Sequence, residues 1–294
     1  PNGVIINYYI KNLKEGDYIR IDIENKDGSV IRTFTNNKDK HSKIENNDVN
    51  KMVGNPVLSN PNDIDNALSS DNLVSLSPRS GGNRLIWDMR YPGFKSFEGM
   101  VLYSSPNVGP KVAPGKYNIK MTYNDQIQQK EFEIVKDPRV KISQADYEDQ
   151  LEFLINVRDE VSRANQKIID IRNIKNNMIF ISEKTRDNNE LQEIINNYLT
   201  DLSEIENKIH MTKNQSRQDP LNYGIRINNR IAFLLADSQR GDYPPTDQSK
   251  EFFIQVKGEL DSEVMKLDAL IDKHSQKIEN YLKDNKIELI SLNN

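Results

Sequence analysis

The chain has 294 residues, a length that favours two domains over a single small module. Forty basic and 44 acidic side chains give a net charge of −4, which excludes the basic field typical of nucleic-acid-binding proteins. The absence of cysteine excludes a disulfide framework, a thiolate zinc site and a thiol nucleophile. No apolar run approaches the roughly 18 residues of a membrane-spanning helix, so no transmembrane segment is expected.

From residue 4 to about 136, apolar residues recur at every second position, which is the period of a half-buried strand. The alternation is clearest over 18–24 and 117–123. Between two such runs, Asp27-Gly28 supplies the positive φ angles of a tight hairpin turn. Six or seven short strands separated by turn residues predict an antiparallel β-sandwich over residues 1–138.

Two stretches interrupt the strand pattern. Residues 36–80 are rich in Asn, Ser, Asp and Lys, and we expect either a mobile loop or a short helix around 63–68. Residues 91–115 contain eight Gly or Pro residues and predict an ordered but irregular connection. Ser80-Gly81-Gly82 precedes a strand rather than a helix, so we interpret it as a turn and not as a phosphate-binding loop.

After residue 138 the apolar spacing changes to alternating threes and fours, the period of a helix buried along one stripe. One stripe runs from Leu154 to Ile181 and is interrupted at Lys175. Two more span 191–209 and 253–281. Each helix either buries its stripe within its own bundle or, for a protruding helix pair, docks another chain or domain.

A shorter helix is predicted over 223–237, and helix start signals occur at Ser143, with Asp146 three residues later, and at Thr246. Short polar links between the helices favour antiparallel neighbours. The predicted fold class is therefore α+β, with the sandwich followed by an antiparallel bundle of about four helices over residues 139–294.

The residues that carry metal or hydrolytic chemistry are few or scattered. We predict His41 in the polar insertion, His210 exposed near a helix end and His274 buried in the bundle, so no metal site is expected. No Gly-x-Ser-x-Gly elbow occurs, and 44 acidic side chains make chance pairs of carboxylates common. Trp87 is predicted in the sandwich core, with Asp88 pointing away and binding backbone groups of a nearby turn. We therefore predict no catalytic, cofactor-binding or metal-binding residue.

Four aromatic residues lie in the irregular connection, and they have two interpretations. They either seal one end of the sandwich or pack on the bundle, or they form an interface with a protein or carbohydrate ligand. These possible interface residues are Tyr91, Phe94, Phe97 and Tyr103.

Several strings of the chain match one known arrangement. They are residues 82–93 (GNRLIWDMRYPG), 99–102 (GMVL), 113–121 (APGKYNIKM), 136–139 (KDPR), 221–232 (LNYGIRINNRIA) and 243–246 (YPPT). The chain resembles the C-terminal region of large exported bacterial proteins that carry sortilin-like, neuraminidase-repeat β-propellers and that are often labelled glycosyl hydrolases. The Trp-Asp…Pro-Gly pattern is also similar to the immunoglobulin-like domain of flagellar hook-capping proteins.

The resemblance implies an immunoglobulin-like sandwich with a helical tail, but no catalytic residue, because the binding activity of that family belongs to its propellers. We therefore expect a non-catalytic accessory region of an exported protein, located in the periplasm, on the outer surface or in the medium. Its expected partner is an upstream propeller or another surface protein. The alternatives are an independent carbohydrate- or protein-binding module and a scaffold subunit of a surface complex. The first residues show no leader, so we expect a processed product or a fragment of a longer protein.

Overall fold

A computed structural model describes residues 3–36 and 73–285. The described part of the chain has strands in its first half and helices in its second, as the change of apolar period predicts. His41, most of the polar insertion and the short helix expected around 63–68 lie outside the described residues.

The strands form two sheets, one of two strands in the order β1-β5 and one of five strands in the order β4-β3-β2-β6-β7. All neighbours are antiparallel except β3 and β4, so the prediction of antiparallel pairing throughout is wrong at β4. A tight hairpin forces its two strands to run in opposite directions, whereas the long connection between β3 and β4 leaves both directions open. The strands are β1 Val4–Ile10, β2 Ile19–Asn25, β3 Val30–Thr35, β4 Leu73–Ser75, β5 Gly81–Trp87, β6 Gly115–Tyr123 and β7 Gln126–Ile134.

Side chains from both sheets meet in one hydrophobic cluster. Its centre includes Trp87, which is 1% exposed and contacts the edges of the Tyr117 and Phe132 rings at centroid distances of 6.2 Å. The indole Nε1–H donates to the carbonyl oxygen of Arg90 at 3.1 Å, so the polar end of this large side chain is also satisfied. The prediction that Trp87 belongs to the core is confirmed.

The irregular connection is ordered by one side-chain amide and two glycines. Asn107 Oδ1 accepts from the backbone N–H of Phe94, and its Nδ2 donates to the carbonyl of the same residue, both at 2.8 Å. Gly93 lies so close to this amide, and Gly109 so close to the Tyr91 carbonyl, that neither position has room for a Cβ atom. Close backbone packing therefore explains why this segment needs glycine.

The helices of the second half are α1 Gln144–Lys184, α2 Asn189–Ile209, α3 Pro220–Tyr223, α4 Ile227–Ser238 and α5 Asp247–Asp284. The predicted start signal of α1 is confirmed, because Ser143 Oγ accepts from the Asp146 N–H while the Asp146 carboxylate accepts from the Ser143 N–H. The predicted stripe over 191–209 is buried along α2, and five stripe residues of α5 are buried. None of the helices in the described ranges has an apolar stretch long enough to cross a bilayer.

The chain divides into two compact units. The strand unit comprises Pro1–Glu98, Pro106–Asp159 and Leu235–Thr246, and the helical unit comprises Gly99–Ser105, Glu160–Leu234 and Asp247–Asn294. Residues 144–159 of α1 thus belong to the strand unit. The predicted boundary after residue 138 stays a prediction about independently folding domains.

Within the helical unit, the segment Gly99–Ser105 is held by the side-chain amide of Asn229 on α4. Asn229 Oδ1 accepts from the Tyr103 N–H at 2.7 Å, and its Nδ2 donates to the Tyr103 carbonyl at 3.0 Å and to Ser105 Oγ at 3.1 Å. Asn229 is buried, so its amide substitutes for the partner strand that this segment lacks among the described residues.

Asn229→Ala is expected to lower the free energy of unfolding by about 2 kcal/mol, because it removes three hydrogen bonds of a buried side chain and the partner of the part-buried Tyr103 N–H. Urea unfolding followed by circular dichroism at 222 nm measures the change. Asn173→Ala, at an exposed position of α1, is the matched control and should stay within about 0.5 kcal/mol of wild type. Equal stabilities for the two variants would contradict the anchoring role of Asn229.

Candidate binding groove on the two-stranded sheet

The outer face of the β1–β5 sheet carries side chains that are normally buried. Strand alternation directs Ile6 and Ile10 into the core, which places Ile5, Asn7 and Tyr9 on the opposite face. The antiparallel register pairs these three residues with Ile86, Arg84 and Gly82 of β5, respectively. The outer face therefore consists of an apolar row, a polar row and a row that pairs an aromatic residue with glycine.

The apolar side chains of this face are open to solvent. Tyr9 is 73% exposed, Ile86 is 54% exposed and Ile5 is 39% exposed. Within the described ranges neither edge of the sheet carries a third strand, so both strands also present backbone N–H and C=O groups that lack a ladder partner. Apolar surface beside unpaired strand edges is typical of a site where another polypeptide docks.

A shallow groove of about 640 Å³ lies at the Tyr9–Gly82 end of this sheet, and neither Ile5 nor Ile86 lines it. Gly82 lacks a side chain and has open space where a Cβ would lie, which leaves one side of the groove clear next to the Tyr9 ring. The groove is lined by Asn7, Tyr8, Tyr9, Arg79, Gly82, Asn83 and Arg84.

The turn that leads into β5 is fixed by Asn83. Asn83 Oδ1 accepts from the Arg79 N–H at 2.9 Å, and its Nδ2 donates to the carbonyls of Arg79 at 2.8 Å and Gly81 at 3.0 Å. Gly81 takes a positive φ of 94°, which only glycine adopts without strain. Ser80 forms the bend of the predicted turn, whereas Gly81 and Gly82 already belong to β5. These hydrogen bonds hold the backbone of Arg79 and therefore fix the point from which its side chain extends to the groove.

The two arginines give the groove its charge. Arg84 Nε donates to Asn7 Oδ1 at 3.2 Å, and Arg79 Nε donates to the Gly82 carbonyl at 3.4 Å. Both acceptors are neutral, and in the described part of the chain neither guanidinium has a carboxylate within ion-pair distance. No acidic residue is among the residues that line the groove. The groove is thus a positively charged strip beside an aromatic ring.

Asp88, the acid singled out by the sequence, lies inside the strand unit at the end of β5. Its Oδ1 accepts from the Arg90 N–H at 3.3 Å across Met89, which has a positive φ of 61°. This backbone bond confirms the predicted role of Asp88. Burial raises the pKa of the Asp88 carboxyl, and the positive charges of Arg32 and Arg90 oppose that rise. The carboxylate therefore bonds across a part-buried turn that lies near two positive charges.

The four aromatic residues predicted as a possible interface have different environments. Phe94 and Phe97 are buried. Tyr91 is half-buried and its hydroxyl accepts from Asn25 Nδ2 at 3.1 Å, whereas Tyr103 is partly exposed in the helical unit. An interface at these positions stays a prediction.

The histidine predictions have mixed outcomes. His274 is buried, as predicted, and its ring stacks on Tyr198 at a centroid distance of 4.5 Å. The prediction that His210 is exposed is wrong, because it is 2% exposed. Its Nδ1 lies 3.2 Å from Nδ2 of Asn228, which also donates to Asn165 Oδ1 at 3.1 Å. A side chain of α4, which is itself bonded to α1, therefore contacts the histidine at the end of α2.

Lys175, the charged residue that interrupts the α1 stripe, pairs with the buried carboxylate of Glu206. Glu206 of α2 accepts from Lys175 Nζ at 3.0 Å and from Arg172 Nε at 2.8 Å. Burial alone would raise the pKa of Glu206, but hydrogen bonds and charge from the two cations outweigh burial and lower it. Lys175 thus occupies a core position because it pairs with a buried acid. Across the described residues, no group of three or more His, Asp or Glu side chains is arranged to hold a metal ion.

The comparisons with known proteins gave no relative. No protein-family model matches the chain. No curated protein and no solved structure matches it either.

The groove was missed in the sequence analysis, although one signal for it exists. In the β1 sequence Val-Ile-Ile-Asn-Tyr-Tyr-Ile, both faces of the strand carry large apolar or aromatic residues. A strand at the surface of a sandwich needs only one such face, so an apolar second face indicates a second contact. The pairing of that face with Arg84 and Gly82 depends on register, which the sequence does not show.

Proposed function

We propose that this chain is a non-catalytic accessory region that binds another polypeptide through the outer face of the β1–β5 sheet. The observation that carries the proposal is the set of exposed side chains Ile5, Tyr9 and Ile86 on one face of a sheet whose two edges are unpaired among the described residues. Burying such side chains gains about 25 cal/mol per Å² of apolar surface removed from water. Backbone groups at either edge would add main-chain hydrogen bonds to an extended partner segment.

The resemblance found in the sequence extends this proposal. In a parent protein of the sortilin-like propeller type, the partner would be an upstream propeller or another surface protein, and the location would be extracytoplasmic. We also propose that the two sheets form an immunoglobulin-like sandwich and that the long helices form a four-helix bundle, which the shared hydrophobic cluster and the buried helix stripes support. Propeller repeats and an export leader encoded upstream of Pro1 would support this parentage, and a different upstream domain would contradict it.

The docking face is tested by site-specific photo-crosslinking in the native cell. A photoreactive phenylalanine analogue at position 9 is expected to yield a discrete crosslinked product whose peptides map to one polypeptide. The same analogue at position 127 is the matched control, because Ile127 is similarly exposed and lies on β7 of the other sheet of the strand unit. Crosslinking from position 9 that does not exceed crosslinking from position 127 would overturn the proposed function.

A further inference from the structure

We infer that the occupant of the groove is an extended polypeptide segment that places a carboxylate side chain against Arg79 and Arg84. The inference rests on the proposed function and adds the chemistry of the partner. Its basis is the pair of guanidinium groups that line one groove and bond only to neutral oxygens among the described residues. Arginine recognises carboxylates with paired, charge-assisted hydrogen bonds, so a groove with two such groups selects an acidic partner.

The arginines are held in place before any ligand binds. Each uses its Nε–H for a bond within the sheet or its turn, to Asn7 Oδ1 in one case and to the Gly82 carbonyl in the other. The turn that carries Arg79 is itself fixed by three hydrogen bonds of Asn83. Both side chains are exposed, and each of these bonds meets only part of the cost of ordering its arginine on binding.

The arrangement of the face favours a polypeptide over a glycan. Its rows run in the order Ile5–Ile86, Asn7–Arg84 and Tyr9–Gly82, and successive rows are about 6.6 Å apart because each strand residue advances about 3.3 Å. An added strand presents every second side chain to one face, with that same spacing. An aliphatic row next to a cationic row matches alternating apolar and acidic side chains of a strand, whereas a sugar chain offers no aliphatic partner for Ile5 and Ile86.

The geometry predicts the pattern of the partner segment. A strand paired with the free edge of β5 places an apolar side chain beside Ile86, a carboxylate beside Arg84 and an aromatic ring over Gly82. The expected sequence is apolar-x-acidic-x-aromatic, in which x faces away from the groove. The opposite strand direction gives the reverse order.

The test uses the full chain and a labelled nonapeptide, Thr-Val-Thr-Glu-Thr-Tyr-Thr-Ser-Thr, with fluorescence anisotropy as the measurement. The Glu peptide is expected to bind at least tenfold more tightly than the same peptide with Gln or Lys at the acidic position. The preference should shrink in 0.5 M salt, because the groove is open to solvent. Arg84→Gln should abolish the preference and Arg84→Lys should restore part of it, whereas Arg186→Gln, at an exposed site of the helical unit, should leave binding unchanged.

The outcomes separate this inference from the proposed function. Equal binding of the Glu and Gln peptides, with both lost in the Tyr9→Ser variant, would overturn the acidic preference and leave the docking face intact. Stronger binding of polygalacturonate than of every peptide would overturn the polypeptide occupant in favour of an acidic glycan. No peptide binding, together with no crosslinking from position 9 above the control, would overturn both proposals.

Discussion

Replacing Gly109 by alanine is expected to lower the free energy of unfolding of the strand unit by about 3 kcal/mol or more. A Cβ atom at this position would overlap the carbonyl oxygens of Tyr91 and Pro92, which are backbone atoms and cannot rotate away. Two backbone hydrogen bonds hold the two segments together directly after the glycine, from the Tyr91 N–H to the Pro110 carbonyl at 2.8 Å and from the Val112 N–H to the Met89 carbonyl at 2.9 Å. Relief of the clash therefore requires breaking part of this pairing.

Trp87 provides the measurement, because it is the only tryptophan and lies in the core of the strand unit. Its fluorescence during urea unfolding reports the unit that contains Gly109. Gly258→Ala is the matched control, since no atom lies within 4 Å of the new methyl group and alanine is favoured over glycine within α5. Gly258 lies in the helical unit, so this control is followed by circular dichroism at 222 nm and should gain about 0.5–1 kcal/mol. A Gly109→Ala variant as stable as wild type would contradict the close approach.

The buried His210 is expected to make the protein lose about 3 kcal/mol of unfolding free energy between pH 6.5 and pH 4. Burial lowers the pKa of this imidazole from 6.5 to about 4, and the positive charge of Arg172 acts in the same direction. The hydrogen bond from Asn228 and the charge of Glu206 oppose the shift.

The sign follows from proton uptake. The unfolded chain binds a proton at His210 near pH 6.5, whereas the folded chain resists protonation until about pH 4. Stability from this group is therefore complete above pH 6.5 and falls by about 1.4 kcal/mol per pH unit as the pH decreases through that window. Below about pH 4 both states are protonated and the loss stops growing.

His210→Gln isolates this contribution, because glutamine is neutral at every pH and its amide oxygen can accept from Asn228. Urea midpoints followed at 222 nm should be taken for both proteins between pH 7.5 and 4. The free energy of unfolding of wild type minus that of the variant is expected to fall by about 3 kcal/mol as the pH decreases from 6.5 to 4. His274→Gln serves as a second comparison, since burial also lowers the pKa of His274. Parallel profiles for wild type and His210→Gln would contradict a neutral, buried His210.

Local patterns in the sequence predicted the elements well. The Asp27-Gly28 turn joins β2 and β3 as predicted, but only Gly28 takes a positive φ, of 84°, and Asp27 does not. The Ser143–Asp146 pair begins α1, the apolar stripe of α2 is buried, and most of the α1 stripe and five residues of the α5 stripe are buried. These features depend on residues within a few positions of one another, so sequence spacing alone contains the information.

His210 and Lys175 show why other features could not be predicted. A histidine near a helix end has the local signature of an exposed residue, but Asn228, which also donates to Asn165, contacts it from a distant position. The lysine in the α1 stripe has the signature of a packing defect, but Glu206 of α2 lies within hydrogen-bond reach. In both cases the contacting residue, Asn228 or Glu206, lies more than 15 positions away in the sequence. Apolar periodicity does not show contacts over such a separation.

By itself, the sequence determined the switch from strands to helices, the positions of turns and helix starts, and the burial of Trp87, because each follows from local backbone preference and side-chain period. Only the tertiary structure decided the parallel pairing of β4, the burial of His210 and the groove on β1 and β5. Strand register brings Tyr9 opposite Gly82 and Asn7 opposite Arg84, residues more than 70 positions apart. Those pairings depend on how the whole chain packs, since a shift of one residue would move every one of these side chains to the other face of the sheet.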